Sequence, residues 1–277
     1  MKSFKVGLQL YSVRDRMAED MEGTLKAVKE MGYDYVEMAG YFGKSAEEIR
    51  ALLDKYGLTC ISVHQTPDFY ETKGQEGVDF IKTLGAEFSV IPWYDKAKLP
   101  DSPVWEETKA HFVRVGELLK KNGVDMYYHN HDFEFEMVGE RCKYDIMMEE
   151  ISRDIFKPEF DVCWVRYAGE DPCKYIRAFA GNVRILHLKD FTCKKLAAGP
   201  AYALIDADGN PIAPVSKEDN AFRFAPLGQG MQDFSAILAA AEESGTEYVI
   251  VEQDETYELP SLEAARQSRA YLRTLGI

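Results

Sequence analysis

The stretch with the most side chains capable of chemistry is YYHNHDFEF, residues 127–135. It places His129 and His131 two positions apart, with Asp132 and Glu134 directly after them. Side chains two positions apart in a β-strand point to the same face, so both histidines would face one side. We expect the first to bind a metal ion and the second to reach a substrate. The alternative, that the second only packs and forms hydrogen bonds, stays open.

The elements that position these histidines are short apolar runs with the character of buried strands. Eight of them are spread along the chain, at 5–12, 33–39, 58–64, 88–93, 124–130, 158–165, 183–190 and 248–254. Segments with helical periodicity and helix-ending glycines lie between them, among them 21–32, 45–57, 108–123, 233–245 and 260–276.

The alternation of strand and helix predicts the fold. Eight strand–helix units in 277 residues indicate an α/β protein with a single (β/α)8 TIM-barrel domain over residues 1–277. Continuous apolar strands are typical of a parallel sheet that is buried on both faces. A doubly wound sheet is the alternative, and the count of eight strands disfavours it.

One connection is much longer than the others. Residues 191–231 follow the seventh strand and contain several Gly, Pro and Asp residues. Within them, ALIDADGNPIAP predicts a hairpin that turns at residues 208–210. We expect this loop to lie over the C-terminal face, where long structured loops often cover active sites. A surface excursion or an oligomer contact is equally compatible.

Polar side chains at the strand ends would meet at that face, where TIM barrels carry out their chemistry. Four of them come from four different strands: His129, Asp161, His187 and Glu252. Each taken alone is most simply a hydrogen-bonded or solvated residue, but a buried cluster of charge needs compensation. Imidazole and carboxylate ligands together suit a transition-metal ion better than Ca²⁺. We expect Mn²⁺ first, with Co²⁺, Zn²⁺, Mg²⁺ or Fe²⁺ as alternatives.

The bulk properties exclude several classes of function. The net charge of −14 would repel phosphates, and no local basic patch argues for nucleic-acid binding. No apolar run approaches the roughly 20 residues that cross a bilayer, and the N-terminus predicts no signal peptide. The five cysteines form no CxxC pair, which favours reduced thiols in a cytoplasmic protein.

The order of the motifs YHNHDFEF, FDVCWV, LHLKD, LGQG followed by an acid, and VEQD resembles the sugar phosphate isomerase/epimerase superfamily, the xylose isomerase-like TIM barrels. The resemblance covers nearly the whole chain. It implies a metal set of Glu, Asp, His and Glu from strands 5 to 8, which falls on His129, Asp161, His187 and Glu252. The fifth strand departs from this pattern with a histidine, so His131 as the ligand or Glu134 as a substitute acid remain alternatives.

The histidine pair on the fifth strand favours the inosose dehydratase-like branch and relatives that act on 3-keto-glycosides. The resemblance implies a metal-dependent isomerase, epimerase or dehydratase-type lyase that acts on a keto-sugar or keto-inositol. Its substrate loses a proton next to the carbonyl and forms an enediolate. The base would be Glu252 or His131, and Lys189 would donate to the oxyanion.

The resemblance also implies which side chains would bind the sugar, namely His64, Trp93, Glu134 and Trp164. Trp164 stands where several relatives have a histidine, and an indole can stack on a sugar ring but cannot bind metal. The alternative function is a catalytically inactive sugar-binding barrel or scaffold, which the missing glutamate on the fifth strand supports. The expected partner is a small carbohydrate or inositol, and a homo-oligomer is compatible with the sequence.

Overall fold

The computed structural model describes residues 4–199, 204–205, 211–212 and 220–277. Eight parallel strands close into a barrel in which each strand pairs with its neighbours along the chain and the last pairs with the first. The strands are β1 (Lys5–Gln9), β2 (Tyr35–Met38), β3 (Thr59–His64), β4 (Phe88–Ile91), β5 (Asp125–His129), β6 (Phe156–Asp161), β7 (Ile185–Leu188) and β8 (Tyr248–Val251). The predicted TIM barrel is confirmed.

Two of the predicted strands are followed by a helical turn before the apolar pattern ends. A 3₁₀ turn at Leu10–Val13 follows β1 directly. The prediction of a strand through residue 165 is wrong after Asp161, because its carboxylate accepts hydrogen bonds from the backbone N–H of Cys163 and Trp164. This N-cap starts the helix Val162–Tyr167 at the end of β6.

Helices surround the barrel, and the five predicted ones are confirmed as Met21–Met31, Ala46–Tyr56, Trp105–Lys121, Phe234–Ser244 and Ser261–Thr274. Other helices in the described residues are Arg14–Glu19, Pro67–Lys73, Gln75–Leu84, Lys143–Glu150 and Pro172–Ala178. Ser45 and Glu48 form a capping box at the start of the helix Ala46–Tyr56. Gly32 ends its helix with a φ of 91°, a left-handed conformation that favours glycine.

Buried apolar side chains form three clusters, one of which groups Trp164, Phe191 and Phe222 where β6 and β7 end. Of the other two, the larger part packs between the strands and the outer helices. The smaller part fills the barrel itself at the N-terminal half of the strands, with Tyr35, Ile61, Phe88, Val90, Tyr127, Ile185, Tyr248 and Ile250. This apolar plug closes the barrel from below, so an interior site can open only toward the carboxyl ends of the strands.

The long connection after β7 is partly described. Its first residues, Asp190–Thr192, pair in antiparallel fashion with Arg223–Ala225. Leu204–Ile205 pairs with Pro211–Ile212 as the predicted hairpin requires, whereas the predicted turn at 208–210 lies outside the described residues. That the connection covers the C-terminal face stays a prediction. In the described part of the chain, we find no helix with the length and apolar character needed to cross a bilayer.

Candidate active site

A cavity of about 630 Å³ opens at the carboxyl ends of the strands. This volume falls in the range of sites that bind small molecules. The residues that line the cavity are Tyr11, Arg14, Ala39, Gly40, His64, Pro92, Trp93, His129, His131, Phe133, Lys189, Glu252, Asp254 and Glu255. Aromatic rings, a buried lysine and several acidic side chains therefore line the same cavity.

The polar interior of the barrel is arranged in tiers. Residues two apart on one strand face the same way and lie about 6.6 Å apart along the strand. Four strands each deliver such a pair near their ends: His129 and His131, Glu159 and Asp161, His187 and Lys189, and Glu252 and Asp254. The tier formed by His129, Asp161 and Glu252, together with His187, is called the upper cluster below.

The structure brings the four predicted metal ligands together in the upper cluster. The Nε2 atom of His129 lies 3.2 Å from Asp161 Oδ2 and 3.5 Å from Glu252 Oε2. The Nδ1 atom of His187 lies 3.0 Å from the same Glu252 oxygen. Each residue offers one ligand atom, and these atoms all lie within 4.8 Å of one another. All four residues are buried, so a cation held here would be shielded from bulk water.

Lys189 supplies a positive charge at the edge of the upper cluster. Its Nζ atom lies 2.9 Å from Asp161 Oδ2, 2.7 Å from Glu252 Oε2 and 3.0 Å from Asp254 Oδ1. Burial alone would lower the pKa of Lys189, but these carboxylates outweigh it and raise the pKa well above the usual value. Burial would likewise raise the pKa of Asp161, but Lys189 and His129 outweigh it and lower the pKa to about 2. Lysine and aspartate are therefore both charged at neutral pH.

The backbone around Lys189 is held by the next residue, Asp190. Its carboxylate accepts hydrogen bonds from the N–H groups of Phe191, Gly228, Gly230 and Gln232. A Cβ atom at Gly230 would lie 2.1 Å from Asp190 Oδ1, so only glycine allows this approach. The motifs LHLKD and LGQG are thus two halves of one structural contact, which fixes the end of β7.

A second group of polar residues lies one tier deeper and is called the lower cluster, namely Glu37, His64 and Glu159, again together with His187. Burial would lower the pKa of His64, but the two carboxylates outweigh it and raise the pKa to about 9. Neither Glu37 nor Glu159 was predicted as a site residue. The alternation in PEFD, residues 158–161, is a pattern that could have found Glu159, because it places this side chain on the same face as Asp161.

The histidine pair of the opening motif lies as predicted along one face. His129 and His131 have ring centroids 5.2 Å apart, and both line the cavity. Between them, Asn130 turns away from the barrel axis; its Oδ1 accepts the backbone N–H of Asp161 at 3.0 Å. This bond ties the end of β5 to the end of β6 and sets the spacing between His129 and Asp161.

The residues predicted to bind the sugar divide into two pairs. His64 and Trp93 line the cavity, and Trp93 is 47% exposed. Glu134 and Trp164 are fully buried and are not in the described lining. The carboxylate of Glu134 instead accepts hydrogen bonds from the Tyr128 hydroxyl and the His131 backbone N–H, and burial raises its pKa to about 7.

Trp164 supports the cavity from behind. Its ring stacks on His131 and on Phe222, with centroids 5.6 Å apart in each case. The ammonium group of Lys189 lies 5.3 Å from the indole centroid, within the range of a cation–π contact. Two further residues of the cavity mouth, Tyr11 and Arg14, were not predicted. Tyr11 lies in the 3₁₀ turn whose first residues were interpreted as strand, and Arg14 begins the short helix that follows.

Comparisons with known proteins agree with the fold. A family model described as "Xylose isomerase-like TIM barrel" matches residues 25–275. An inosose dehydratase from Lacticaseibacillus casei is 24% identical over 254 residues, which are 83% of this chain and 82% of that protein. A sugar phosphate isomerase/epimerase structure from Parabacteroides distasonis has a TM-score of 0.75 at 21% identity, covering 99% of this chain and 94% of that one.

A further structural neighbour is the IOLI protein, whose structure holds a zinc atom. Its TM-score is 0.68 at 16% identity, and the match covers 98% of this chain and 97% of that one. At such identities the structural likeness shows a shared fold.

Proposed function

The chain belongs to the xylose isomerase-like TIM barrel family, and we propose that it is a divalent-metal-dependent enzyme that isomerises, epimerises or dehydrates a keto-sugar or keto-inositol. The observation that carries the proposal is the meeting of His129, Asp161, His187 and Glu252, the first and last of which line a cavity of sugar size. The similarity to an inosose dehydratase supports a cyclic polyhydroxy ketone as the substrate.

The donor set fits a divalent cation. Both ring nitrogens of His129 are buried and lack a hydrogen-bond partner within the described residues, although carboxylate oxygens stand 3.2 and 3.5 Å from Nε2. Buried polar atoms without partners are costly, and a ligand bond to a cation would satisfy Nε2. A cation held by the upper cluster would supply Lewis acidity toward the substrate carbonyl. Mn²⁺ is the first candidate, and zinc in a structural neighbour supports an ion of this class.

His131 is the proposed base that removes the proton next to the carbonyl. It lines the cavity, and its ring is held between Phe133 and Trp164. Glu252, the other candidate, has one oxygen in contact with Lys189, His187 and His129. A carboxylate so engaged is poorly placed to accept a proton from carbon. Burial, followed by the positive charges of His129 and Lys189, lowers the pKa of His131 well below its usual value, so its ring is neutral at pH 7 and has a nitrogen that can accept a proton.

Lys189 is the proposed electrostatic stabiliser of the reaction. Its ammonium group is fixed by three carboxylates and lines the cavity. Such a preorganised charge stabilises the oxygen that becomes negative when the α-proton leaves. Trp93 offers an exposed indole on which a sugar ring can stack, and His64 offers a ring nitrogen at the cavity floor.

The enediolate that these residues would stabilise has two fates. Return of the proton to carbon gives an isomer or an epimer. Departure of a β-hydroxyl with a proton gives dehydration. Both fates begin with the same proton removal, so exchange of that proton with solvent reports on the proposed step whichever product forms.

The test is a screen of the Mn²⁺-loaded protein against keto-inositols, 3-keto-glucosides and free ketoses in D₂O. We expect deuterium to enter one carbon next to the carbonyl, seen by NMR, for at least one of these classes. Absence of exchange for all of them would overturn the proposal and favour a non-catalytic sugar-binding barrel.

A pair of histidine variants locates the base. We expect H131F to keep the stacking between Phe133 and Trp164 but to lose the exchange, because phenylalanine cannot accept a proton. The matched control is H111F, since His111 lies on the outer helix Trp105–Lys121, away from the cavity. Equal exchange in both variants would remove His131 from the mechanism without removing the enzyme.

A further inference from the structure

We propose that the lower cluster is a second divalent-cation site, one tier beneath the first and built partly by different strands. Its ligands would be Glu37 from β2, His64 from β3, Glu159 from β6 and His187 from β7. Three of the four are absent from the upper cluster. The site therefore adds to the proposed function and does not depend on it.

The four ligand atoms form a ring in which nitrogen and oxygen alternate. His64 Nε2 lies 2.9 Å from Glu37 Oε1 and 3.1 Å from Glu159 Oε2. His187 Nε2 lies 2.7 and 3.4 Å from the same two oxygens. With ligand bonds of about 2.0–2.2 Å, neighbouring donors of a four-coordinate ion stand about 2.8–3.6 Å apart. The observed spacings of 2.7 to 3.4 Å match those of an ion of this size.

The charges also differ between the two clusters. Asp161 and Glu252 in the upper cluster share the ammonium group of Lys189. Within the described residues, no lysine or arginine contacts Glu37 or Glu159, which are both fully buried. Two buried carboxylates that face imidazoles instead of a lysine or arginine carry a large desolvation cost. A divalent cation between them would offset it directly.

The surroundings of Glu37 and Glu159 also support a cation in the lower cluster. Oε1 of Glu159 is buried and has no hydrogen-bond partner in the described structure. Glu37 is instead oriented by the Gln9 amide, which donates to Oε1 at 2.7 Å, and by the Ser62 hydroxyl, which donates to Oε2. Outer partners of this kind hold ligand carboxylates in metal sites. His64 lines the cavity and so connects the lower cluster to the entrance.

His187 belongs to both clusters and couples them. Its Nδ1 faces Glu252 at 3.0 Å, and its Nε2 faces Glu37 at 2.7 Å. A neutral imidazole carries one lone pair, so the ring serves one cation while its other nitrogen donates a hydrogen bond. The two sites therefore compete for His187, and we expect one cation per chain that can occupy either position.

Two isosteric variants on one strand separate the sites, since Asp161 belongs only to the upper cluster and Glu159 only to the lower. Metal content after equilibration with Mn²⁺ and desalting is the readout. We expect D161N to retain about one ion per chain, E159Q to retain one in the upper cluster, and D161N/E159Q to retain none. Loss of all metal from folded D161N, with wild type binding one ion, would overturn the lower site.

Crystals of the wild-type protein provide a test that needs no variant. After soaking in Mn²⁺, we expect the anomalous signal of about one ion per chain to be divided between the upper cluster and a peak between Glu37, His64 and Glu159. A peak confined to the upper cluster would overturn the inference, as would electron density without anomalous signal in the lower cluster. Deuterium exchange without a lower ion refutes only this site, whereas a lower ion without any exchange refutes only the proposed function.

Discussion

The interior of the barrel has two halves of opposite chemistry built on the same strands. The lower half, toward the N-terminal ends of the strands, is filled by aliphatic and aromatic side chains that contact one another. The upper half contains both the upper and the lower cluster and so holds the histidines, the carboxylates and Lys189. On β7 the change takes place between Ile185 and His187, and on β8 between Ile250 and Glu252. A single step along each strand separates packing from chemistry.

This division shows how one register serves two purposes. Apolar contacts in the lower half stabilise the barrel and keep water out of its base. The upper half gathers five buried or nearly buried carboxylates, Glu37, Glu159, Asp161, Glu252 and Asp254, whose repulsion opposes folding. We expect substitutions in the upper half to remove activity and metal, and substitutions in the lower half to reduce stability.

The largest effect is expected at the residue that joins the two clusters. H187A should abolish metal binding and turnover together, with kcat/KM lowered at least about 10³-fold. Removing a residue that only hydrogen-bonds to a metal ligand already lowers metal affinity or activity about 10–100-fold, and a ligand should matter more. Metal analysis and steady-state kinetics check this. The control is H111A on the outer helix. A fully active, metal-replete H187A would refute the ligand assignment.

The corresponding change in the lower half is F88A. Phe88 is fully buried and contacts the rings of Tyr127 and Tyr248, with centroids 5.0 and 5.8 Å away. Removing such a ring costs about 3–5 kcal/mol of unfolding free energy, measured by urea denaturation. We expect kcat per folded molecule to stay within about twofold, and F88L to show a smaller loss. A fall in kcat per folded molecule well beyond twofold would contradict the division between the two halves.

The mouth of the cavity is expected to respond more weakly. W93A removes an exposed indole from the cavity wall, and we expect KM to rise about 10-fold while kcat changes little, since stacking supports ground state and transition state alike. W93F keeps an aromatic face and should restore most of the affinity. A fall in kcat with unchanged KM would instead place Trp93 in the chemical step.

Much of this arrangement could be predicted from the sequence. Eight apolar runs with helical segments between them predicted the barrel, and strand ends that carry His129, Asp161, His187 and Glu252 indicated which side chains converge. These inferences succeed because strand alternation and parallel pairing are local rules that fix which residues share a face.

What the sequence did not predict depends on contacts between distant segments. Trp164 was predicted to lie in a strand, because its neighbours are apolar and the sequence pattern does not show that Asp161 caps a helix here. Glu134 follows the histidine pair in the sequence, yet a 3₁₀ turn at Phe133–Phe135 directs it to Tyr128 and away from the cavity. Side-chain direction after a strand ends is set by such turns, which periodicity does not report.

Glu134 also offers the smallest prediction and a contrast with the carboxylates of the barrel interior. Lys189 and His129 lower the pKa of Asp161, whereas burial raises that of Glu134 from 4.5 to about 7. Between these two values the folded protein holds a proton that the unfolded chain has released. The unfolding free energy therefore falls as pH rises through this window, by at most roughly 3 kcal/mol.

The E134Q variant isolates this contribution, because glutamine keeps the size of the side chain and does not titrate. We expect the difference in unfolding free energy between wild type and E134Q to favour wild type at pH 4.5 and to shift steadily toward the variant up to pH 7. Urea denaturation at several pH values measures it, and other titrating groups cancel in the difference. A difference that stays constant with pH would mean that Glu134 is ionised in the fold and that its two hydrogen bonds outweigh burial, as charged partners do for Asp161.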